Sequence, residues 1–316
     1  MTRSRTWMAA VAGLALAAGV AAPAAWAQAP TPSPTQPAPA QPAAPAPAPE
    51  APPNTGRVSL AAGADWASAY YFRGIVTTQN GGNNVQPYGE VAFRLLENMG
   101  PLTSLSVAPG IWTNLHWGGG TVVDPSDPKF WTETDWYFKV SAVWWEALTT
   151  SVTYTYYTSP NNTFASFADV AVSAALNDSK WLGAFALNPS IMFAFETTGE
   201  ALVSADAKKG IYWQIGLAPG YTFFAESSFP TTISAPMTFG FSAKDYYTVN
   251  GNNQEFGYFS FGPLITMPLK FVPAAYGSWS FKGGVQFLVL NTNLKAINTP
   301  GDGFVPVGSV GISMTY

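Results

Sequence analysis

The stretch Phe304-Val-Pro-Val-Gly-Ser-Val-Gly-Ile-Ser-Met-Thr-Tyr316 decides the fold. Successive side chains of an extended strand point to opposite faces. Phe304, Pro306, Gly308, Val310, Ile312, Met314 and Tyr316 therefore share one face, and Val305, Val307, Ser309, Gly311, Ser313 and Thr315 share the other. A final aromatic residue, preceded by apolar residues at every second position, has the form of the terminal-strand signal read by the outer-membrane insertion machinery. The expectation is a transmembrane antiparallel up-and-down β-barrel over residues 57–316, with that machinery and outer-membrane lipids as partners.

The same period of two recurs upstream, as lipid-facing strands require. Val85, Val91, Phe93 and Leu95 oppose Gln86, Glu90 and Arg94. Trp136, Phe138, Val140 and Trp144 oppose Asp135, Tyr137, Lys139 and Ser141. Trp213 and Ile215 flank Gln214, and Phe281, Val285 and Phe287 flank Lys282 and Gln286. Twelve segments show it, near 58–72, 85–96, 103–115, 133–145, 148–158, 164–176, 181–196, 210–224, 231–242, 254–267, 278–290 and 303–316. The connections alternate between short ones, such as Glu97–Pro101, Glu146–Ala147 and Asn177–Ser179, and long polar ones, His116–Thr132, Thr197–Lys209, Ala243–Asn253 and Asn291–Asp302. Short turns at one end and long loops at the other match an outer-membrane barrel, and an even strand number puts both termini on the periplasmic side. Two features leave ten or fourteen strands open: weak alternation around Phe259–Phe261, and a long connection, Pro268–Gly277, where a short turn belongs. Pro87, Pro109, Pro189, Pro219 and Pro306 lie inside strand segments. Proline removes a ladder donor, so bulges or rim positions are expected there.

The N-terminal part is of another kind. Arg3 and Arg5, the apolar run Met8–Ala22 and Ala25-Trp26-Ala27 have the order of a Sec-type signal peptide over residues 1–27. Residues 28–56 are almost wholly Ala, Pro, Thr, Ser and Gln, a composition that buries no core. In polyproline II geometry, at about 3.1 Å per residue, this tether reaches roughly 85 Å. It reads as a disordered periplasmic spacer or as a segment that contacts the cell wall.

Composition agrees with a barrel. Charged residues are 10% and aromatics 15% of the 316 residues, against about 25% charged in an ordinary soluble domain. Yet no apolar run long enough for a helical span follows the signal peptide. With no cysteine, disulfides, thiolate metal sites and a lipid anchor on an N-terminal Cys are excluded. The net charge of −4 argues against nucleic acid as a partner.

Trp66-Ala-Ser-Ala-Tyr-Tyr-Phe-Arg-Gly-Ile75 closes the first strand segment, and Gln86-Pro-Tyr-Gly-Glu90 and Gly110-Ile-Trp-Thr-Asn114 follow. These motifs resemble the opening strands of the TorF-family porins, in which a first strand runs into an aromatic–Arg–Gly–Ile segment. By motif the resemblance covers residues 58–115. It implies a barrel of the twelve-strand class with a porin-like role. The tether and the Trp-rich stretch 130–145 depart from the family.

Residues with chemistry are few. His116 is the only histidine; a barrel enzyme needs it as a base near the outer rim, and otherwise it packs there against Trp112 and Trp117. Asp124–Asp127 and Asn250–Asn253 carry oxygen ligands without the spacing of a calcium loop, and turn chemistry accounts for both. No metal or other cofactor is expected, and no enzymatic activity. By alternation the lumen is lined by Asp65, Gln86, Glu90, Arg94, Asp135, Lys139, Gln214, Lys282 and Gln286, with Arg73 at the mouth or bridging strands. Trp66, Tyr70, Trp136, Trp144, Trp145, Tyr154, Tyr156, Trp279 and Tyr316 are expected in interfacial girdles. The leading expectation is passive passage of small hydrophilic solutes or ions. The rival is a barrel filled by its own side chains that serves a structural or surface-interaction role.

Overall fold

A computed structural model of the chain describes residues 56–77, 83–118, 130–199, 209–227, 229–298 and 302–316. The signal-peptide and tether readings, apart from Gly56, and the Asp124–Asp127 stretch lie outside these residues. Twelve wall strands follow one another in chain order: β1 (Val58–Ala67), β2 (Asn83–Met99), β3 (Leu102–Trp117), β4 (Trp131–Trp144), β5 (Leu148–Thr158), β6 (Phe167–Leu176), β7 (Ser190–Thr198), β8 (Ile211–Leu217, resuming at Gly220–Phe223), β9 (Thr231–Ser234, resuming at Met237–Lys244), β10 (Phe256–Phe261, resuming at Leu264–Pro268), β11 (Ser278–Leu290) and β12 (Phe304–Thr315). Each pairs antiparallel with the next, and β12 also pairs with β1, from Ala61↔Thr315 to Ala67↔Ser309. That last ladder closes the sheet into a twelve-stranded barrel with no edge through most of its wall.

The proline expectation divides. Pro109 faces Phe138 and Pro306 faces Phe287 in unshifted register, so neither makes a bulge. Pro219, Pro236 and Pro263 instead sit where β8, β9 and β10 are interrupted. There the missing donors break three neighbouring strands at one level, and each resumes beyond. Two segment boundaries are corrected. The first strand ends at Ala67 rather than residue 72, and the segment from 181 to 189 is not strand: Ser179–Leu182 (α1) and the turn Gly183–Phe185 are helical, and β7 begins at Ser190. Asp178 holds this connection by accepting from the backbone N–H groups of Leu187 and Asn188. The long connection after Pro268 is a genuine turn at the short-turn end, closed by the 3-10 turn Ala274–Tyr276.

Outward faces are apolar and exposed, as a wall against lipid requires. One aromatic ladder crosses β9 to β12: Phe239 stacks on Phe259 at 4.4 Å, and the row runs on through Phe261 and Phe287 to Phe304. A second stacks Phe193, Trp213 and Phe241. Inward, three tyrosines lie flat over glycines of the adjacent strand: Tyr88 over Gly63, Tyr137 over Gly110 and Tyr258 over Gly240. Any Cβ at those glycines would meet the ring. Bulky rings over bare backbone fill a narrow barrel without overpacking it.

The plugged lumen as the candidate functional site

The hydrophobic core of this protein lies inside the barrel, at the long-loop end. Its centre is the first loop, which folds inward as a hairpin pairing Tyr71–Phe72 with Ile75–Val76. Every residue from Tyr70 to Val76 is buried. Arg73 and Gly74 form the tip, both with positive φ, at 45° and 85°. A two-residue turn of this hand suits the twist of a hairpin and normally takes Asn-Gly or Gly-Gly. Placing arginine there costs about 1–2 kcal/mol, and its contacts offset that cost. The Arg73 guanidinium donates to Asp169 Oδ2 at 2.7 Å and to the Tyr246 hydroxyl at 3.1 Å. It lies 4.6 Å from the Phe72 ring centroid and 4.7 Å from that of Tyr212, within cation–π range.

Other loops fasten the hairpin. Tyr247 Oη donates to the Arg73 carbonyl, the Val76 N–H donates to Asn298 Oδ1, and Asn298 Nδ2 donates to the Gly74 carbonyl. Asn298 follows the short helix α2 (Thr292–Ile297), capped by Asn291 accepting from the Leu294 N–H. Leu294 is fully buried against Gly74. Tyr157 Oη donates to the same Asp169 oxygen that Arg73 uses. Burial, with Asp302 close by, pushes the Tyr71 hydroxyl up to about 12, so this phenol stays neutral. The plug is thus a packed, hydrogen-bonded body, held to the wall, among the described residues, by the buried Arg73–Asp169 ion pair.

Between the plug and the short-turn end the lumen is polar and partly solvated. Lys139 Nζ lies 2.6 Å from Glu90 Oε2, and Lys282 Nζ 2.9 Å from Asp65 Oδ2. The lysines keep 17% and 27% of their side-chain surface exposed. Ser151 and Ser173 share a hydrogen bond across β5 and β6. Gln214 Oε1 accepts from Tyr212 Oη, and Gln286 Nε2 donates to Ser260. At the long-loop ends of β2 to β4, Gln86 Nε2 reaches Asn114 Oδ1 at 3.4 Å, and Asn114 in turn donates to Asn84 and Thr132. Arg94, on the lumen side of β2, pairs with Glu97. Toward the long-loop end, Asp135 is buried in β4, opposite Trp112 of β3.

Among the residues expected in the girdles, Trp136, Trp145, Tyr154, Tyr156 and Tyr316 are exposed on the outside, while Trp66, Trp144 and Trp279 are half-buried. Tyr70 is the exception. It is 1% exposed and packs on Trp112 at 5.3 Å, because the chain turns inward after β1 and carries it into the core. His116 is also fully buried, at the inner face of β3 opposite Asn84. Of the two tryptophans expected beside it, Trp112 is buried and Trp117 is exposed next to Phe130.

Asp169, Tyr157, Tyr212, Tyr246 and Asn298, which hold the plug, were not singled out from sequence. Asp169 had a signal: it shares the inward parity of Ala171 and Ser173 in β6. Tyr246 and Asn298 had none, because they come from long loops whose path the alternation rule does not address.

No family model matches this chain, and no curated protein matches it. Among solved structures the chain is similar to the β domain of the Bordetella autotransporter BrkA, at 9% identity and a TM-score of 0.42, covering 83% of this chain and 99% of that one. It is also similar to the NanC porin, at 10% identity and a TM-score of 0.40, covering 81% and 98%. A third is the transport unit of the Escherichia coli autotransporter AIDA-I, at 12% identity and a TM-score of 0.35, covering 82% and 90%. The closed ladder of twelve strands, rather than any of these likenesses, defines the fold.

Proposed function

We propose that this chain is a porin-like barrel of the outer membrane, passing small hydrophilic solutes or ions and held shut at rest by its own first loop. The observation that carries the reading is the contrast along the lumen. The long-loop end is plugged by a hairpin on the Arg73–Asp169 ion pair, whereas the remainder is lined by charged pairs, Asp65–Lys282 and Glu90–Lys139, whose lysines stay partly exposed. A barrel that serves only as a structural body gains little from charged pairs in its interior, which well-packed apolar side chains would replace at no loss of stability. In this reading residues 1–27 direct export and residues 28–56 tether the barrel toward the cell wall. The terminal strand is handed to the insertion machinery, both ends lie in the periplasm and the long loops face outward.

Planar-bilayer recording of the refolded protein tests this. Rare, brief openings are expected from the wild type and frequent ones from Arg73→Gln. Silence from both favours the sealed structural barrel and ends the porin reading.

A further inference from the structure

The lumen holds more carboxylates than cations. Arg73, Lys139 and Lys282 each already face a carboxylate, of Asp169, Glu90 and Asp65 respectively. Glu133, Asp135 and Glu196 are additional acids buried at the long-loop half of the same barrel. Glu196 Oε2 accepts from the Gly210 N–H. Asp135 differs: it is 1% exposed, its side-chain neighbour is the Glu133 carboxyl, and among the described residues no N–H or alcohol hydroxyl donates to either of its oxygens. Asp169 Oδ1 and Asp65 Oδ1 are buried in the same condition. Asp135 and Asp169 come from strands two apart, β4 and β6, with Tyr157 of β5 between them.

Buried acceptors without donors are costly. Here they are concentrated in carboxylates on a single polar passage, in a wall of low dielectric that focuses their field along the lumen. Rings of inward carboxylates are the arrangement by which pores admit cations and turn back anions. We propose that this passage selects for small cations, inorganic or ammonium, with Asp135 as the principal selecting residue and Glu133 and Asp169 beside it. The proposal rests on the porin reading. Each cation entering the plug region meets Asp135 and the Asp169 Oδ1 atom, to which no N–H or alcohol hydroxyl donates among the described residues, while the lumen's described basic groups are already engaged by carboxylates.

Reversal potentials of the full-length refolded protein under a KCl gradient test this, using Arg73→Gln to raise the open fraction. The expected reversal potential takes the sign set by K+. Adding Asp135→Asn to Arg73→Gln is expected to move it toward zero, and Glu133→Gln to move it in the same direction by less. Heat-modifiable migration on gels confirms that each variant is folded. A reversal potential at zero, or of the sign set by Cl−, overturns the cation proposal and leaves the channel standing. A folded Asp135→Asn variant with an unchanged reversal potential overturns the assignment to Asp135. Absence of current from wild type and Arg73→Gln alike overturns both the channel reading and this inference.

Discussion

Arg73→Gln removes the ion pair that, among the described residues, joins plug to wall, and leaves Asp169 behind. Asp169 is fully buried, and its remaining donor is the Tyr157 hydroxyl. Removing one partner of a buried pair costs about 3–5 kcal/mol, since the other charge stays in place without compensation. Arg73 also stacks on aromatic rings within 5.5 Å, each contact contributing about 0.5–2 kcal/mol when desolvated. Glutamine keeps part of the packing but none of the charge. The expected loss in plug closure is therefore about 3–5 kcal/mol, a rise of roughly a hundredfold to several thousandfold in the open population. Hydrogen exchange at the amides of 70–76, in detergent-solubilised protein, reads this directly. Protection there is expected to fall by that factor while the β4–β5 ladder keeps its own. The double variant Arg73→Gln/Asp169→Asn removes the orphaned charge and is expected to regain most of the protection. Equal protection of the plug in wild type and Arg73→Gln would refute the account of what holds it.

Other consequences are local. Gly110→Val drives a side chain into the Tyr137 ring; overpacking of this kind is expected to cost about 1–3 kcal/mol in denaturant unfolding, whereas Gly89→Val, on open ground, is expected to cost little. Lys139→Met leaves Glu90 buried and unpaired and is expected to lower the melting temperature more than the double variant Lys139→Met/Glu90→Gln does. At the short-turn end, the Lys180 ammonium beside Glu146 holds its carboxyl below the usual glutamate range. Any stability from this pair is therefore present above the ordinary glutamate pKa and lost as pH falls through the lowered one. Both groups are highly exposed, so Glu146→Gln is expected to leave the melting temperature unchanged at neutral pH.

The wall of the barrel was legible because a period of two is a local property. Phe304 to Tyr316 shows it without help from any partner strand, and the inward sides of Asp65, Glu90, Lys139 and Lys282 follow from parity alone. The interrupted strands β8 and β9 were legible as single segments, since each resumes with its alternation intact, whereas β10 alternates weakly around Phe259–Phe261. The plug was not legible. Tyr70-Tyr71-Phe72 continues the apolar character of β1, and only the positive φ at Arg73 and Gly74 reverses the chain into the lumen. Arg-Gly is a rare pair for such a turn, so turn chemistry gave no warning. The segment from 181 to 189 misled for a related reason: Trp181, Leu182 and Phe185 are exposed apolar residues of a helical turn, which a strand pattern absorbs readily.

In the proposed reading the polar lumen opens toward the short-turn end and is closed by the first loop at the other. The chain has no cysteine, so single cysteines report cleanly. Ser151→Cys lies in the lumen and Val152→Cys on the outer wall. In intact cells, a membrane-impermeant thiol reagent supplied from outside is expected to spare both positions in the wild-type background. It is expected to label Ser151→Cys, and not Val152→Cys, once Arg73→Gln releases the plug. Rapid labelling of Ser151→Cys with Arg73 in place, or none after its replacement, would contradict the account.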